Sequence, residues 1–382
     1  MNILDLLNIK RDSSVPIANQ LCDQIRWLIS TAELIEGEHL PPIRSAAEAL
    51  GIHMHTVRST YHLLEQRGLV STRPGKGTVV LPYLPFTHQA IEPNRGSHLI
   101  GLLIPNLTPF YAEFLNGAEQ AAKEEHCFII VMKIGENQKL AEKYLDLLIA
   151  KNTDGVINAS LGFSHEFQKK LDDGEIILPF PIVYADVPNL SHSAVQLDSA
   201  GAAYQGAVHL LEHGHSSIGL INAPQEWPLG NEIYKGFQEG LRARSGESSQ
   251  LFIRTVTDFS IEAGYQAGMI LINSVLKPTA VFAVSDSLAI GAMRAFKERG
   301  LQVPEDMAVV GYNDVEIASL VEPALTSVSA PAYELGTQSM GMLLQLISSR
   351  QKICEKKLLP TKLVIRRSCG CSSNGFVQWT QT

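Results

Sequence analysis

Residues 40–80 read LPPIRSAAEALGIHMHTVRSTYHLLEQRGLVSTRPGKGTVV, and this stretch decides how the N-terminal part of the chain folds. Ile43 to Leu50 is a helix with two alanines and no breaker. Gly51 ends it, because glycine tolerates the left-handed conformation of a tight turn. Thr56 to Gln66 forms a second helix, in which Val57, Tyr61 and Leu64 recur at i, i+4 and i+7 and so face a core. Gly68 stops it. Two β-type runs follow, Leu69 to Thr72 and Thr78 to Leu81, joined by Pro74-Gly75-Lys76-Gly77, a hairpin with a flexible basic tip. Upstream, Ile17, Leu21, Ile25, Leu28 and Ile29 line one side of a helix that begins near Pro16 and packs beneath the other two. Trp27 on that helix is expected in the core or at a seam with another domain. Helix, turn, helix and hairpin together make a winged helix-turn-helix.

The same motifs, in the same order, resemble the GntR type of bacterial DNA-binding domain over most of residues 10–81. The matching pieces are Leu40-Pro41-Pro42-Ile43-Arg44, Thr56-Val57-Arg58, Leu64-Glu65-Gln66-Arg67-Gly68-Leu69-Val70 and Gly75-Lys76-Gly77-Thr78. The resemblance implies that the second helix enters the major groove and that its N-terminal residues, His53, Met54, His55, Thr56 and Arg58, meet base edges. Arg44 would clamp a phosphate or reach a guanine, and the wing tip Gly75-Lys76-Gly77 would meet a phosphate or the minor groove. The family usually carries an arginine or an asparagine-proline pair where His53-Met54-His55 stands here, so its base preference does not transfer. Arg67 and Arg73 need be no more than solvated.

The whole chain of 382 residues carries a formal charge of −8, which alone would argue against nucleic acid. Between Leu40 and Val80, however, Arg44, Arg58, Arg67, Arg73 and Lys76 face only Glu48 and Glu65, a local excess of three positive charges. An acidic protein can still present a basic face where phosphates dock. Hydrophobic residues at 45% and charged ones at 18% describe a globular chain of two or three domains. Met1 to Asn8 is short and begins uncharged, unlike a secretory leader, and no apolar run is long enough to span a bilayer. Five cysteines, odd in number and mostly isolated, suit reduced cytosolic thiols. Cys369 and Cys371 form a C-x-C pair with no histidine or cysteine close by in the sequence, so no metal site is expected there.

Pro82, Pro85 and Pro93, with Asn94-Arg95-Gly96-Ser97, mark residues 82–97 as a semi-rigid linker. From His98 the pattern changes. Strands are expected at His98 to Pro105, Cys127 to Lys133, Asp154 to Asn158, Pro181 to Ala185 and Ala194 to Leu197, with helices at Phe110 to His126 and Lys139 to Lys151 between the first three. After Gly201 the alternation resumes, with helices Ala202–His213, Asn231–Arg244, Ile261–Leu276 and Ser287–Arg299 and strands Ile218–Asn222, Leu251–Val256, Ala280–Val284 and Ala308–Gly311. Strand and helix alternating twice over imply two parallel-sheet α/β lobes. Ligands in such folds bind beyond the carboxyl ends of the strands.

Residues 98 to about 371 resemble the sensor domain of lactose/galactose-repressor-type regulators, whose fold is that of periplasmic sugar-binding proteins. The resemblance rests on Ile100-Gly101-Leu102-Leu103-Ile104-Pro105, Leu210-Leu211-Glu212-His213-Gly214-His215, Val303-Pro304-Glu305-Asp306-Met307-Ala308-Val309-Val310-Gly311-Tyr312 and Pro323-Ala324-Leu325-Thr326-Ser327-Val328. Arg366-Arg367-Ser368-Cys369 looks like the closing strand. The fold class expected is therefore α/β: a winged helix-turn-helix over residues 1–81, a linker, and a two-lobed periplasmic-binding-protein-like domain over 98–371, with 372–382 as a tail. The resemblance implies crossings between lobes near Asp198, Leu325 and Leu358. Lobe 1 then spans about 98–197 and 326–357, and lobe 2 about 198–325 and 358–371. It also implies a homodimer formed through the sensor, a palindromic operator in double-stranded DNA and a small effector, most simply a sugar, in the cleft.

Matched residue by residue, that family's effector positions fall on Phe110, Tyr111, Asp186, Ile233, Phe259, Ser285 and Asn313. Three of them depart from the pattern: Ile233 replaces an arginine, Ser285 an asparagine and Asn313 an aspartate. A polar ligand would lose charge-assisted bonds, each roughly twice as strong as a neutral one. Either the ligand differs from the usual sugar or Gln225, Trp227, Asn231 and Glu232 compensate. The reading is a cytoplasmic transcription regulator, most simply a repressor, with no cofactor. The alternatives are a regulator whose sensor serves only for dimerisation, an activator or co-repressor-dependent regulator, a solute-binding protein and an enzyme. No nucleophile elbow, phosphate loop or metal cluster supports the last, and Asp186 and Asp198 have no leaving group beside them.

Overall fold

The computed structural model describes residues 3–9, 16–30, 33–73, 75, 77–82, 98–125, 127–135, 137–160, 163–187, 191–245, 250–275, 277–349, 354–371 and 375–377. The N-terminal unit consists of α1 (Ile17–Ser30), β1 (His39–Leu40), α2 (Ile43–Leu50), α3 (Met54–Gln66), β2 (Val70–Arg73) and β3 (Gly77–Val80). Its core is separate from the rest: Ile25, Leu28 and Ile29 of α1 meet Ala46 and Ala47 of α2 and Val57, Tyr61 and Leu64 of α3. Gly51 caps α2 at φ 61°, the left-handed conformation expected of it. The hairpin pairs Val70 with Val80 and Arg73 with Gly77. The two-residue strand β1, too short to leave a pattern, adds a third antiparallel strand by pairing with β3. Arg26 is buried on α1 and donates through Nη1 to Asn152 Oδ1 of the next domain at 3.4 Å. Its neighbour Trp27 is 39% exposed, so it does not enter the core. Of the expected linker, residues 83–97 lie outside the described residues, as do Pro74 and Lys76 at the wing tip.

Lobe 1 begins with β4 (His98–Ile104), α4 (Pro109–Glu124), β5 (Cys127–Lys133), α5 (Gln138–Ala150), β6 (Gly155–Asn158), α6 (His165–Asp172), β7 (Ile182–Ala185) and β8 (Ser193–Leu197). Lobe 2 follows with α7 (Ser199–Glu212), β9 (Ser217–Asn222), α8 (Pro228–Ser245), β10 (Gln250–Thr255), α9 (Ile261–Ile272), β11 (Ala280–Ala283), α10 (Asp286–Glu298), β12 (Ala308–Asn313), α11 (Ile317–Leu320) and β13 (Thr326–Ser329). The chain then returns to lobe 1 for α12 (Ala332–Ser349) and β14 (Lys356–Leu359), and to lobe 2 for β15 (Lys362–Ile365) and β16 (Gly375–Val377). The lobe 1 sheet has the order β14-β8-β7-β6-β4-β5 and is parallel throughout. The lobe 2 sheet runs β10-β9-β11-β12-β13-β15-β16 and is parallel as far as β13. Strands such as Val281 to Ala283 and Val309 to Val310 are buried on both faces, as runs of apolar residues between helical layers must be.

Three expectations are corrected. The return to lobe 1 comes after Ser329, not at residue 326, because Thr326–Ser329 pairs with β12 over Val310 to Asn313. Arg366-Arg367-Ser368-Cys369 is a turn. The closing strand is Lys362–Ile365, which pairs antiparallel with β13 and buries Leu363 and Val364. The residues expected as a free tail include β16, which pairs Phe376 with Val364. Three helices were not expected, α6, the four-residue α11 and the long α12, whose Leu335, Met340 and Leu343 pack in the lobe 1 core.

Three hydrogen bonds tie two of the crossings together. Gln205 of α7 donates through Nε2 to the Thr361 carbonyl at 3.3 Å and accepts from the Leu363 N–H at 3.1 Å. The Thr361 hydroxyl in turn donates to the Asp198 carbonyl at 3.1 Å. The first and third crossings are therefore one hydrogen-bonded unit.

Candidate DNA-reading face and effector pocket

α3 divides its residues by face. Val57, Thr60, Tyr61 and Leu64 are buried, and the Tyr61 hydroxyl donates to the Pro41 carbonyl at 2.6 Å, so the helix is fixed against the chain entering α2. His53, Met54, His55 and Arg58 are exposed on the other side, with Thr56 half-buried between the faces. His53 has a local task as well: its Nδ1 accepts from the His55 N–H at 3.3 Å as the N-cap. The two imidazoles stack with centroids 5.1 Å apart. Arg44 is exposed on α2, and Gly75 and Gly77 sit at the wing with φ 76° and 83°. Lys76, the basic residue expected at the tip, is outside the described residues. Arg67 turns away: its Nη1 lies 3.4 Å from Asp23 Oδ1 on α1.

A cavity of about 440 Å³ lies between the lobes. In lobe 1 the strand order reverses between β4 and β6. In lobe 2 it reverses between β9 and β11. Reversal sends adjacent loops apart and opens a crevice beyond the strand ends. The walls follow from that: Pro105 and Asn106 after β4, Ser160 after β6, Trp227 after β9, and Val284 and Ser285 after β11.

Six of the seven expected positions line this cavity: Phe110, Tyr111, Asp186, Phe259, Ser285 and Asn313. Ile233 does not. It is fully buried on α8 within the apolar core, as an isoleucine at a helix face against a sheet should be. Of the four residues proposed to compensate, Trp227 reaches the cavity; Gln225, Asn231 and Glu232 are not among its walls. The sequence reading missed Lys133, Asp258 and Tyr312, which also line it. Tyr312 stood at the end of a stretch matched to the family and was given no pocket role. Lys133 ends a strand and Asp258 opens the turn before α9, positions the rule about strand ends could have selected.

The polar residues of the pocket are held in place. Asp186 adopts φ 56° and Asn313 φ 105°, left-handed conformations that cost non-glycine residues about 1–3 kcal/mol and cluster at binding sites. The Asp186 carboxylate accepts from the Leu197 N–H at 3.2 Å. Burial nonetheless pushes its carboxyl up to about 7, against the lowering effect of that bond. Burial together with the Asp186 charge raises the Tyr111 and Tyr312 phenols far above their usual range, so both remain protonated donors. Ser285 caps α10 by accepting from the Leu288 N–H at 3.3 Å, which leaves its own O–H to donate elsewhere. Asp286, also raised to about 7 by burial, accepts from the Ser327 hydroxyl and the Val315 N–H and is committed to the wall. Asp314 is paired with Arg366 at 2.7 Å.

Residues 17–80 match the model of bacterial regulatory proteins of the gntR family, and residues 207–369 match that of the periplasmic binding protein-like domain. The HTH-type transcriptional regulator CelR of Thermobifida fusca is 31% identical over 345 residues, covering 87% of this chain and all of CelR. The HTH-type transcriptional repressor CytR of Escherichia coli K12 is 29% identical over 287 residues, 75% of this chain and 83% of CytR. A LacI family transcriptional regulator from Enterococcus faecium, solved with bound ribose, is 28% identical, with a TM-score of 0.62 over 71% of this chain and 98% of that one. The chain belongs to the LacI family of transcriptional regulators. Within that family this regulator carries a GntR-type reader at its N-terminus. No helix among the described residues is long and apolar enough to cross a membrane.

The regulator also brings together residues that its sequence keeps apart. Cys369 and Cys371, for which no partner was expected, lie against His209 and His213 at the end of α7.

Proposed function

We propose that this regulator is a cytoplasmic repressor, homodimeric through its sensor, that holds a palindromic operator with two winged helices and releases it when a sugar enters the cleft. The observation that carries the effector half is the cavity itself. Phe110, Tyr111, Trp227 and Phe259 line it together with Asp186, Ser285 and Asn313. Aromatic rings bury sugar C–H faces while side-chain donors and acceptors take the hydroxyls. The volume falls within the range of about 300–1,000 Å³ usual for small-ligand sites. The relative solved with bound ribose supports a sugar, and the apolar Ile233 argues against an effector that needs an arginine at that position. In the reader, exposed His53, Met54, His55 and Arg58, with half-buried Thr56, would meet base edges, Arg44 a phosphate or guanine, and Gly75-Lys76-Gly77 a phosphate or the minor groove. The cleft has no assigned catalysis in this reading.

Release requires the effector to favour one lobe arrangement, since equal affinity for both shifts nothing. The test is the melting temperature of the full chain against pentoses, hexoses, sugar acids and purines, followed by operator affinity with and without whichever ligand shifts it. A ligand at 100 times its Kd stabilises the native state by about 2.7 kcal/mol, readily visible as a shift. One sugar that raises the melting temperature and weakens operator binding is the expected result. No shift with any sugar would remove the effector role, and unchanged operator affinity would remove induction.

A further inference from the structure

We propose that Cys369, Cys371, His209 and His213 form a zinc-class metal site in lobe 2, made of residues that do not line the effector pocket. The sulfur atoms of Cys369 and Cys371 lie 3.2 Å apart. Cys371 Sγ is 3.6 Å from His209 Nε2 and 3.0 Å from His213 Nε2. The donor atoms of His209, Cys369 and Cys371 all fall within 4.8 Å of one another. Zinc–sulfur bonds of about 2.3 Å and zinc–nitrogen bonds of about 2.0–2.1 Å put tetrahedral ligand atoms about 3.3–3.8 Å apart. The three separations around Cys371 lie within about half an ångström of that range. His213 reaches Cys371 but stands outside the mutually close set, so its exposed ring must rotate toward His209 and Cys369 to complete the tetrahedron.

The chain supplies this donor set by two local periodicities. His209 and His213 are i and i+4 across the last turn of α7 and its C-cap, so their rings share one helix face, with centroids 4.6 Å apart. The C-x-C pair presents both sulfurs from the single turn after β15. Cys369 is 1% and His209 4% exposed, which shields half of the set from bulk water, while His213 is exposed and leaves a path of entry. An outer partner is also present: the Thr326 hydroxyl lies 3.0 Å from Cys369 Sγ and orients it. Two thiolates and two neutral imidazoles are donors for a borderline-soft divalent ion rather than for calcium or magnesium, which take oxygen. On binding, each thiol gives its proton to solvent as its sulfur takes the ion, so one divalent cation replaces two protons. The ion would tie the turn after the closing strand to α7.

The test is titration of the full-length, fully reduced, metal-free protein with cobalt(II), followed by displacement with zinc. One equivalent of cobalt should give the strong visible bands of a tetrahedral ion and a thiolate-to-cobalt charge-transfer band, both abolished by zinc. Cys371→Ser should lose the charge-transfer intensity. His213→Ala, at an exposed position that leaves the fold intact, should weaken cobalt binding at least about 10-fold, the lower bound for disturbing even an outer-shell partner. Zinc should raise the melting temperature of the wild type but not of Cys371→Ser. Weak octahedral bands only, or tetrahedral bands unchanged in both variants, would overturn the site. So would wild-type protein that takes up cobalt as tightly after its thiols have been alkylated as before. None of these readouts depends on operator or sugar.

Discussion

Arg58 lies on the exposed side of α3, and no carboxylate pairs with it among the described residues, whereas Arg67 is turned back to Asp23. The difference is one of helix phase. Arg58 follows buried Val57 on the outward face, and Arg67 stands at the C-cap above α1. Arg58→Ala should therefore weaken operator binding by about 1–3 kcal/mol, roughly 5- to 150-fold, if it pairs with a guanine. If it holds only a phosphate, the loss should be similar on all sequences and the salt slope should fall by about one. Fluorescence anisotropy on operator and scrambled DNA at several salt concentrations separates the two. Asp186 carries a second prediction. Its folded carboxyl sits near 7, above its unfolded value, so the neutral form is favoured by folding. That contribution is complete below the unfolded pKa and is lost as pH rises through about 7. The melting temperature should fall between pH about 4 and about 7, a fall that Asp286 shares, and Asp186→Asn, which keeps the acceptor for Leu197, should make it shallower. An equal slope in the variant would place the titration elsewhere. The residue scale is also where sequence reading ran out. Ile233 could be counted as a pocket position by alignment of motifs, but an aliphatic side chain gains nothing from a polar cleft and is buried in the core.

The elements themselves were largely legible, and where they were not, a cause can be named. Apolar runs and their spacing locate β4 to β9 and α1 to α5, because buried strands and half-buried helices leave different periods. α12 was missed although it is 18 residues long. Its sequence, AYELGTQSMGMLLQLISS, mixes glycines with apolar residues on several faces, because it packs both on α4 and on the lobe 1 sheet. Gly336 and Gly117 mark the crossing of α12 and α4. A Cβ at Gly336 would strike the Phe114 carbonyl, and one at Gly117 the Tyr333 carbonyl. Backbone cannot step aside as a flexible side chain can. Gly336→Ala should thus destabilise lobe 1 by about 1–3 kcal/mol despite its better helix propensity. Thermal melts would show it, and a variant as stable as the wild type would mean that the helices separate at little cost.

At the scale of the whole molecule, the lobes are joined by three crossings, and Gln205 ties two of them. Gln205→Leu keeps the volume but leaves the Leu363 N–H and the Thr361 carbonyl short of a partner. An unsatisfied buried group costs about 1–3 kcal/mol. The variant should melt lower and, because no pocket wall changes, should alter effector affinity only through the balance of lobe arrangements. Calorimetric titration checks this, and unchanged affinity would uncouple the crossing from the cleft. The sequence by itself determined the two-lobe alternation and the reader's helices, and its resemblance to known families supplied the order of domains and six of the residues that line the cavity. Those features are written in local periods, in turn residues and in motifs contiguous along the chain. Only the tertiary structure decided where the chain recrosses after Ser329, that Ile233 is core, that Trp227 and Lys133 face the cavity, and that Cys371 lies beside His213. Each of these depends on which strand neighbours which, and residues more than 150 positions apart leave no mutual trace in a single sequence.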